Sequence, residues 1–392
     1  MFIVDKPYVS DFLKDTIKRN QFPVIKTENV EEFGFKNGQN IIDEDRAIDI
    51  LRSSDNIQLY TNSENALGWI TKNLSFSDIP NKIGLFKNKA NFRKLLEPLY
   101  PNFLYKEIGV ENLEKFNPLD IIFPIIIKPT VGFFSFGVKK INNLEEWGVT
   151  VLHLREELQR VSGIFPKEVF NDTSLIIEQV IEGDEFAIDA YFDKSGDPVI
   201  INILEHVFSS EADVSDRIYM TSRSILESNY SRVLSFLKQI GRIFQVRFFP
   251  VHVEIRIDRQ GYIQPIEINP MRFGGWCTTP DLAYYAYGFN AYEVYMYQKR
   301  PNWEKILAKK NSEIYSLIVL DNSTGWDPSQ IAAFDYSSLL KRFEMPLELR
   351  KLDFKTHPVF GFLFAQTHPE NRLELDNILR SNLREFVTLN QA

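Results

Sequence analysis

The chain has 392 residues, 44% hydrophobic and 25% charged, an ordinary balance for a soluble globular protein and a length that calls for two or three lobes. A net charge of −8, without any basic stripe, argues against a nucleic-acid partner, whose phosphates demand a basic face. No apolar run approaches the ~20 residues of a membrane span, so no membrane partner is expected.

Short strands at 2–4, 22–25 and 57–60 alternate with helical stretches at 10–19 and 43–52, which predicts a small, mostly parallel α/β lobe over residues 1–85. Asn62 to Asn65 resembles a helix cap, and a further helix runs from Asn88 to about Leu96, ended by Pro98 and Pro101. Ile121 to Lys128 is a β-branched run that reads as a buried strand ending in Lys128-Pro129. Thr130 to Val138 follows as a turn with Gly132, Ser135 and Gly137. Backbone N–H groups and a hydroxyl there suit phosphate oxygens, with the lysine as a point charge. It is no Walker loop, because Val138 stands where Lys-Ser/Thr is needed, and no Gly-x-Gly-x-x-Gly supports a dinucleotide site.

Ser174 to Phe192 reads as two strands around a Gly183 turn, with Glu178 and Glu185 on either side. An amphipathic helix over 231–244 feeds a strand at 251–257, a turn at 258–261 and a strand at 263–270. Alternation puts His252, Glu254 and Arg256 on one face of the first strand, and Glu267 and Asn269 on one face of the second. If the strands pair, two carboxylates and an amide converge. Bare carboxylates repel one another and lose hydration there, a conflict that a hard divalent cation such as Mg²⁺ resolves. His252 reads as a strand hydrogen-bonder, and five histidines without metal spacing give zinc no support. Arg217 and Arg223 are open to two readings, a substrate carboxylate or surface solvation. Beyond a boundary at 300–302, the tail predicts a strand at 314–320, a helix over 328–340, strands at 347–354 and 359–366, and a helix over 372–386. Its role is open among an accessory lobe, a homodimer surface and a substrate gate. The one cysteine, Cys277, cannot make an internal disulfide, which together with the absence of a signal-peptide pattern leads to the expectation of a cytoplasmic protein with a buried structural thiol.

The order of these parts (a Lys-Pro strand with a Gly/Ser loop, then Glu-x-Val-x-x-Gly-x-Glu, then a hairpin carrying Glu254 and Glu-x-Asn-Pro, then Gly-Gly) resembles the ATP-grasp superfamily over roughly residues 83 to 290. The resemblance implies an α+β ATP-grasp fold. A body at 86–300 would lie between the N-terminal α/β lobe at 1–85 and a C-terminal α+β extension at 301–392. By the same resemblance, Lys128 and Lys89 contact ATP phosphates, and Ser135 and the amides around Gly137 cover them. Glu178, Gln179 and Val180 meet adenine, and Glu185 meets the ribose. Glu254, Glu267 and Asn269 hold two Mg²⁺ ions, with Mn²⁺ as a substitute. Arg272 steadies the transferring phosphoryl group, or Arg256 does so instead, because Met271 displaces the usual arginine by one place. Phe133, Phe134 and Phe136 fill a loop that is commonly glycine-rich and suggest an apolar lid. The implied activity is ADP-forming ligation of a small carboxylate to an amine through an acyl phosphate. The alternatives are a phosphotransferase with a stable product or a non-catalytic nucleotide-binding scaffold.

Overall fold

The computed structural model describes residues 1–36, 40–132, 137–161, 173–210, 213 and 215–391. Ser135 and the expected lid residues Phe133, Phe134 and Phe136 therefore lie outside the described residues.

The N-terminal lobe is a parallel sheet of β1 (Phe2–Ile3), β2 (Val24–Ile25), β3 (Ile41–Ile42) and β4 (Tyr60–Thr61), in the order β3-β2-β1-β4. It is interleaved with α1 (Asp11–Asn20) and α2 (Glu44–Arg52). Ser10 starts α1 by accepting from the Leu13 amide. A 3₁₀ turn at Glu64–Ala66, capped by Ser63, leads through α3 (Leu67–Asn73) and α4 (Ile79–Lys87) to α5 (Lys89–Leu96). The Asn88 side chain caps α5 by accepting from Ala90 and Asn91.

A small antiparallel sheet follows: β5 (Tyr105–Gly109), β6 (Ile125–Pro129), β7 (Lys139–Ile141) and β8 (Ser174–Gln179), ordered β5-β8-β6-β7 and backed by α6 (Leu144–Val161). The strand expected from Ile121 starts at Ile125. Pro124 offers no N–H to a ladder, and Ile122 is 74% exposed, although Ile121 and Phe123 pack on the small-sheet core.

The second sheet has eight strands. β9 (Asp184–Phe192), β10 (Pro198–Val207), β11 (Ile218–Ser222), β12 (Phe249–Ile257) and β13 (Ile263–Pro270) come first. α7 (Arg223–Phe244) begins eight residues earlier than its apolar stripe suggests, because Ser222 caps it through the Ile225 amide. The chain then passes through α8 (Thr278–Tyr287), α9 (Ala291–Met296) and α10 (Trp303–Leu307) into β14 (Ile314–Asp321). Strands β16 (Met345–Lys351) and β17 (Val359–Thr367) complete the order β13-β12-β9-β10-β11-β14-β17-β16. The tail strands thus extend the body's own sheet while packing a core of their own around Ile318, Phe360 and Leu363.

Two tail helices are corrected by the structure. The 328–340 stretch is a 3₁₀ turn, then β15 (Ile331–Phe334), then α11 (Tyr336–Leu340). The last helix, α12 (Leu373–Arg380), stops six residues short of Phe386, and β18 (Val387–Leu389) follows. β15 and β18 pair with each other, and Ile331 and Phe334 are buried on one side of that pair. Such distant pairing leaves no local periodicity to read.

Candidate active site

The β12–β13 hairpin builds the acidic half of the site. The Asp258 side chain accepts from the amides of Gln260 and Tyr262, and Gly261 takes a left-handed conformation at φ +84, which closes the turn and sets the register. In that register Glu254 stands opposite Glu267, and His252 opposite Asn269. A bulge between Glu254 and Ile255 falls at this point, where bulges commonly re-aim side chains.

The basic half comes from α5 and β6. Lys89 opens α5 and ion-pairs with Glu267 at 3.0 Å. Burial works against the charge of Lys89, but Glu267 beside it raises its pKa. Lys128, near the end of β6, pairs with Glu178 at 2.5 Å, and Arg93, one turn after Lys89, holds the same carboxylate at 2.9 Å. Burial disfavours the Lys128 ammonium and lowers its pKa. Arg93 also donates to the carbonyls of Pro265 and Ile266, at 2.6 and 3.3 Å, so it ties the small sheet to the hairpin.

Glu178 is 98% buried at its side chain, yet Arg93 and Lys128 outweigh that burial and hold its carboxyl down to about 2. Glu64, from the N-terminal lobe, is likewise held at about 2 against burial by Lys87 and Arg272, each 2.6 Å away. Both folded values lie below the ordinary 4.5. Their stabilisation is therefore present above that value and lost as pH falls toward 2. Glu178→Gln should lower the melting temperature at pH 7, by leaving two buried cations short of a partner. It should also flatten the fall of melting temperature between pH 4.5 and 2 relative to wild type.

Arg272 is 8% exposed and follows β13. Its loop is fixed from the N-terminal lobe. The Met271 carbonyl accepts from the Thr61 amide at 2.9 Å, and Arg272 bonds Glu64 and the Phe273 carbonyl. Burial works against the charge of Arg272, but Glu64 and, beyond it, Glu254 and Glu267 favour it. Arg256 is engaged elsewhere. It binds Glu185 at 3.0 Å and the Ile181 carbonyl at 2.9 Å. Glu185 also meets His206 Nδ1 at 2.9 Å, and these partners hold its pKa low against burial.

The expected adenine segment lies at the end of β8. The Gln179 amide donates to the Leu104 carbonyl at 3.0 Å, and Val180 lies next to Pro124. Gly183 at φ +112 is required here, since a Cβ would sit 2.4 Å from the Ile257 carbonyl oxygen. Gly137 has φ +71, and its amide points at Glu157 Oε1, 3.3 Å away. Of the expected site residues, the structure gathers Lys89, Lys128, Glu178, Glu254, Glu267, Asn269 and Arg272 into one cluster, with Glu185 and Arg256 adjoining. Arg217 is buried against Asp321 at 2.7 Å and Ser323, and Arg223 makes a surface pair with Glu227. Neither arginine is free to take a substrate carboxylate in this arrangement. Cys277 is buried, and burial raises its thiol to about 11.

The donor set fits a hard divalent cation. Burial and then the facing Glu267 push the Glu254 carboxyl up, while Lys89 holds Glu267 down despite its burial. A dication between them would offset both the desolvation and the repulsion. Asn269 Nδ2 donates to Glu267 Oε1 at 3.0 Å, and turning the amide presents its oxygen instead. Among the described residues no three His, Cys, Asp or Glu side chains converge as a closed metal cage. The protein would thus supply two carboxylates and an amide, leaving room for phosphate oxygens and water.

Residues 121–280 match the model of the ATP-grasp domain. The chain contains an ATP-grasp domain. The likeness to solved structures extends over the whole chain. An L-amino acid ligase structure from Bacillus licheniformis superposes with a TM-score of 0.69 at 16% identity, covering 100% of this chain and 98% of that one. N5-carboxyaminoimidazole ribonucleotide synthetase from Thermotoga maritima superposes at 0.65 with 14% identity, covering 100% and 99%. In sequence, the chain is 23% identical over 192 residues to the carbamoyl phosphate synthase large chain of Thermoanaerobacter sp. (strain X514). That match spans 48% of this chain and only 16% of the relative. Among the described residues no helix is long and apolar enough to cross a membrane.

Proposed function

We propose that the protein is an ADP-forming carboxylate–amine ligase acting on small molecules. The observation that carries this reading is the cluster in which Lys89 and Arg272 lie beside the paired carboxylates Glu254 and Glu267, with Lys128 next to them on Glu178. Anionic phosphates need the cations, and the carboxylates would hold Mg²⁺, which offsets phosphate charge when bound. The two superposed proteins, a ligase and a synthetase, suit this chemistry.

In this reading Lys128 and Lys89 orient the ATP phosphates, the segment 178–180 receives the base, and Glu185, steadied by Arg256 and His206, receives the ribose. Gly137 lies beside the phosphates. A substrate carboxylate oxygen attacks the γ phosphorus, the bond to the β-γ bridging oxygen breaks, and ADP leaves. Arg272 offsets the charge on the transferring group. An amine then attacks the acyl carbon of the mixed anhydride and expels phosphate, losing a proton as the amide forms. Positioning and charge compensation are the protein's part, since phosphoryl transfer needs little covalent help. The single buried thiol suits a cytoplasmic setting.

Lys128→Ala should weaken ATP binding more than tenfold, because a charge-assisted phosphate contact contributes about 1.5–3 kcal/mol. Calorimetry with equal affinities for variant and wild type would refute the assignment. The function itself is tested by incubating the protein with ATP, Mg²⁺ and pooled amino acids. ADP and phosphate should appear together with a new mass equal to two substrates less water. ADP accompanied by a stable phosphorylated compound would instead establish a phosphotransferase.

A further inference from the structure

Asp189 lies on β9, fully buried, directly opposite His252 on β12. Three donors meet its two oxygens. His252 Nδ1 is 2.7 Å and the Gly274 amide 2.8 Å from Oδ1, and Thr279 Oγ1 is 2.6 Å from Oδ2. Each donor leads somewhere different. Pairing with a carboxylate puts a hydrogen on His252 Nδ1 and turns Nε2 toward Glu254, 3.9 Å from its Oε1. Gly274 is two residues beyond Arg272. Thr279 lies in the first turn of α8, which closes the same loop.

That loop needs holding. Met271, Trp276 and Cys277 all have positive φ, at 65, 56 and 56, and non-glycine residues enter that region only where their surroundings impose it. A Cβ on Gly274 would fall 1.9 Å from Thr279 Oγ1, so only glycine lets the backbone approach the Asp189–Thr279 pair so closely. Opposite Asp189, the N-terminal lobe grips the loop's other end through Thr61 and Met271.

We propose that Asp189 is a positioning residue for both halves of the phosphoryl site, holding the Arg272 loop through the Gly274 amide and setting the orientation of the His252 ring beside Glu254. A buried carboxylate accepts from all three donors at once, whereas alanine leaves the His252 and Gly274 N–H groups without an acceptor and frees both. The proposal rests on the roles given above to Arg272 and Glu254. It predicts that disturbing a residue that touches no substrate changes metal-dependent nucleotide binding as well as rate.

The test is Asp189→Ala in the full chain, with ATP binding measured by calorimetry in Mg²⁺ and again in EDTA. The expected result is a loss of about 10–100-fold in the Mg²⁺-dependent part of the affinity and in kcat. Affinity in EDTA should stay at the wild-type value. A folded variant with both quantities within twofold of wild type would overturn the proposal. If Asp189→Ala does not fold, Thr279→Val and Thr279→Ser decide. The valine variant, which loses one donor, should show the metal-dependent loss, and the serine variant, which keeps the hydroxyl, should restore binding. Equal behaviour of the two would reduce Asp189 to core packing. A wild type that binds ATP with Mg²⁺ but forms no ligated product would count against the ligase reading and leave this assignment standing.

Discussion

Glu267→Gln is expected to lower turnover by at least about 100-fold while the fold survives. Glu267 is paired with Lys89, stands opposite Glu254, and accepts from Asn269. Glutamine keeps the shape and can keep the bond to Asn269, but it removes one of two carboxylates available to a dication. The remaining carboxylate, Glu254, is the one that burial drives toward its neutral form, so it compensates poorly. The folded state meanwhile loses a like-charge contact between the two strands, which offsets part of the lost Lys89 pair. Steady-state ADP formation at saturating Mg²⁺, alongside thermal melting, checks both halves. An unchanged rate in a folded variant would remove Glu267 from the site.

Arg272→Lys should cost about 100-fold or more in kcat and leave ATP affinity within a few fold. Loss of one preorganised group aimed at developing charge costs about 10²–10³-fold. Lysine keeps a charge beside Glu64 but not the planar fork that reaches Glu64 and the Phe273 carbonyl together. The fold should therefore survive where alanine would leave Glu64 with Lys87 alone. Arg256→Lys is the control that separates the two candidate arginines. Arg256 holds Glu185 and the Ile181 carbonyl, so its loss should weaken nucleotide binding more than it slows turnover. The reverse pattern would exchange their roles.

Much of this site was legible in the chain because its chemistry sits on regular local structure. Period-two alternation alone put Glu254 on one face and Glu267 with Asn269 on another, and the Asp-x-x-Gly turn at 258–261 set them opposite each other. Lys128 stood out as a charge at the end of a β-branched run. The residues that were missed depend on distant partners. Glu64 meets Arg272 from 208 positions away, and Asp189 meets Gly274 from 85. Nothing local distinguishes either from a surface carboxylate. Arg93 did leave a signal. It lies four residues after Lys89, on the same face of α5, and that spacing predicts two cations entering one cleft. The tail failed for a different reason. β15 and β18 are short, and each is ordered by the other, so propensity had too little length to act on.

The central claim is that a carboxylate is activated by phosphorylation, and isotope transfer tests it most directly. The acid substrate, identified from the pooled-amino-acid incubation, is labelled with ¹⁸O in both carboxylate oxygens and turned over with ATP, Mg²⁺ and the amine. The account predicts one ¹⁸O in each phosphate released, with phosphate and ADP formed in equal amounts and only when acid and amine are both present. Phosphate without label, or label retained entirely in the product, would contradict it.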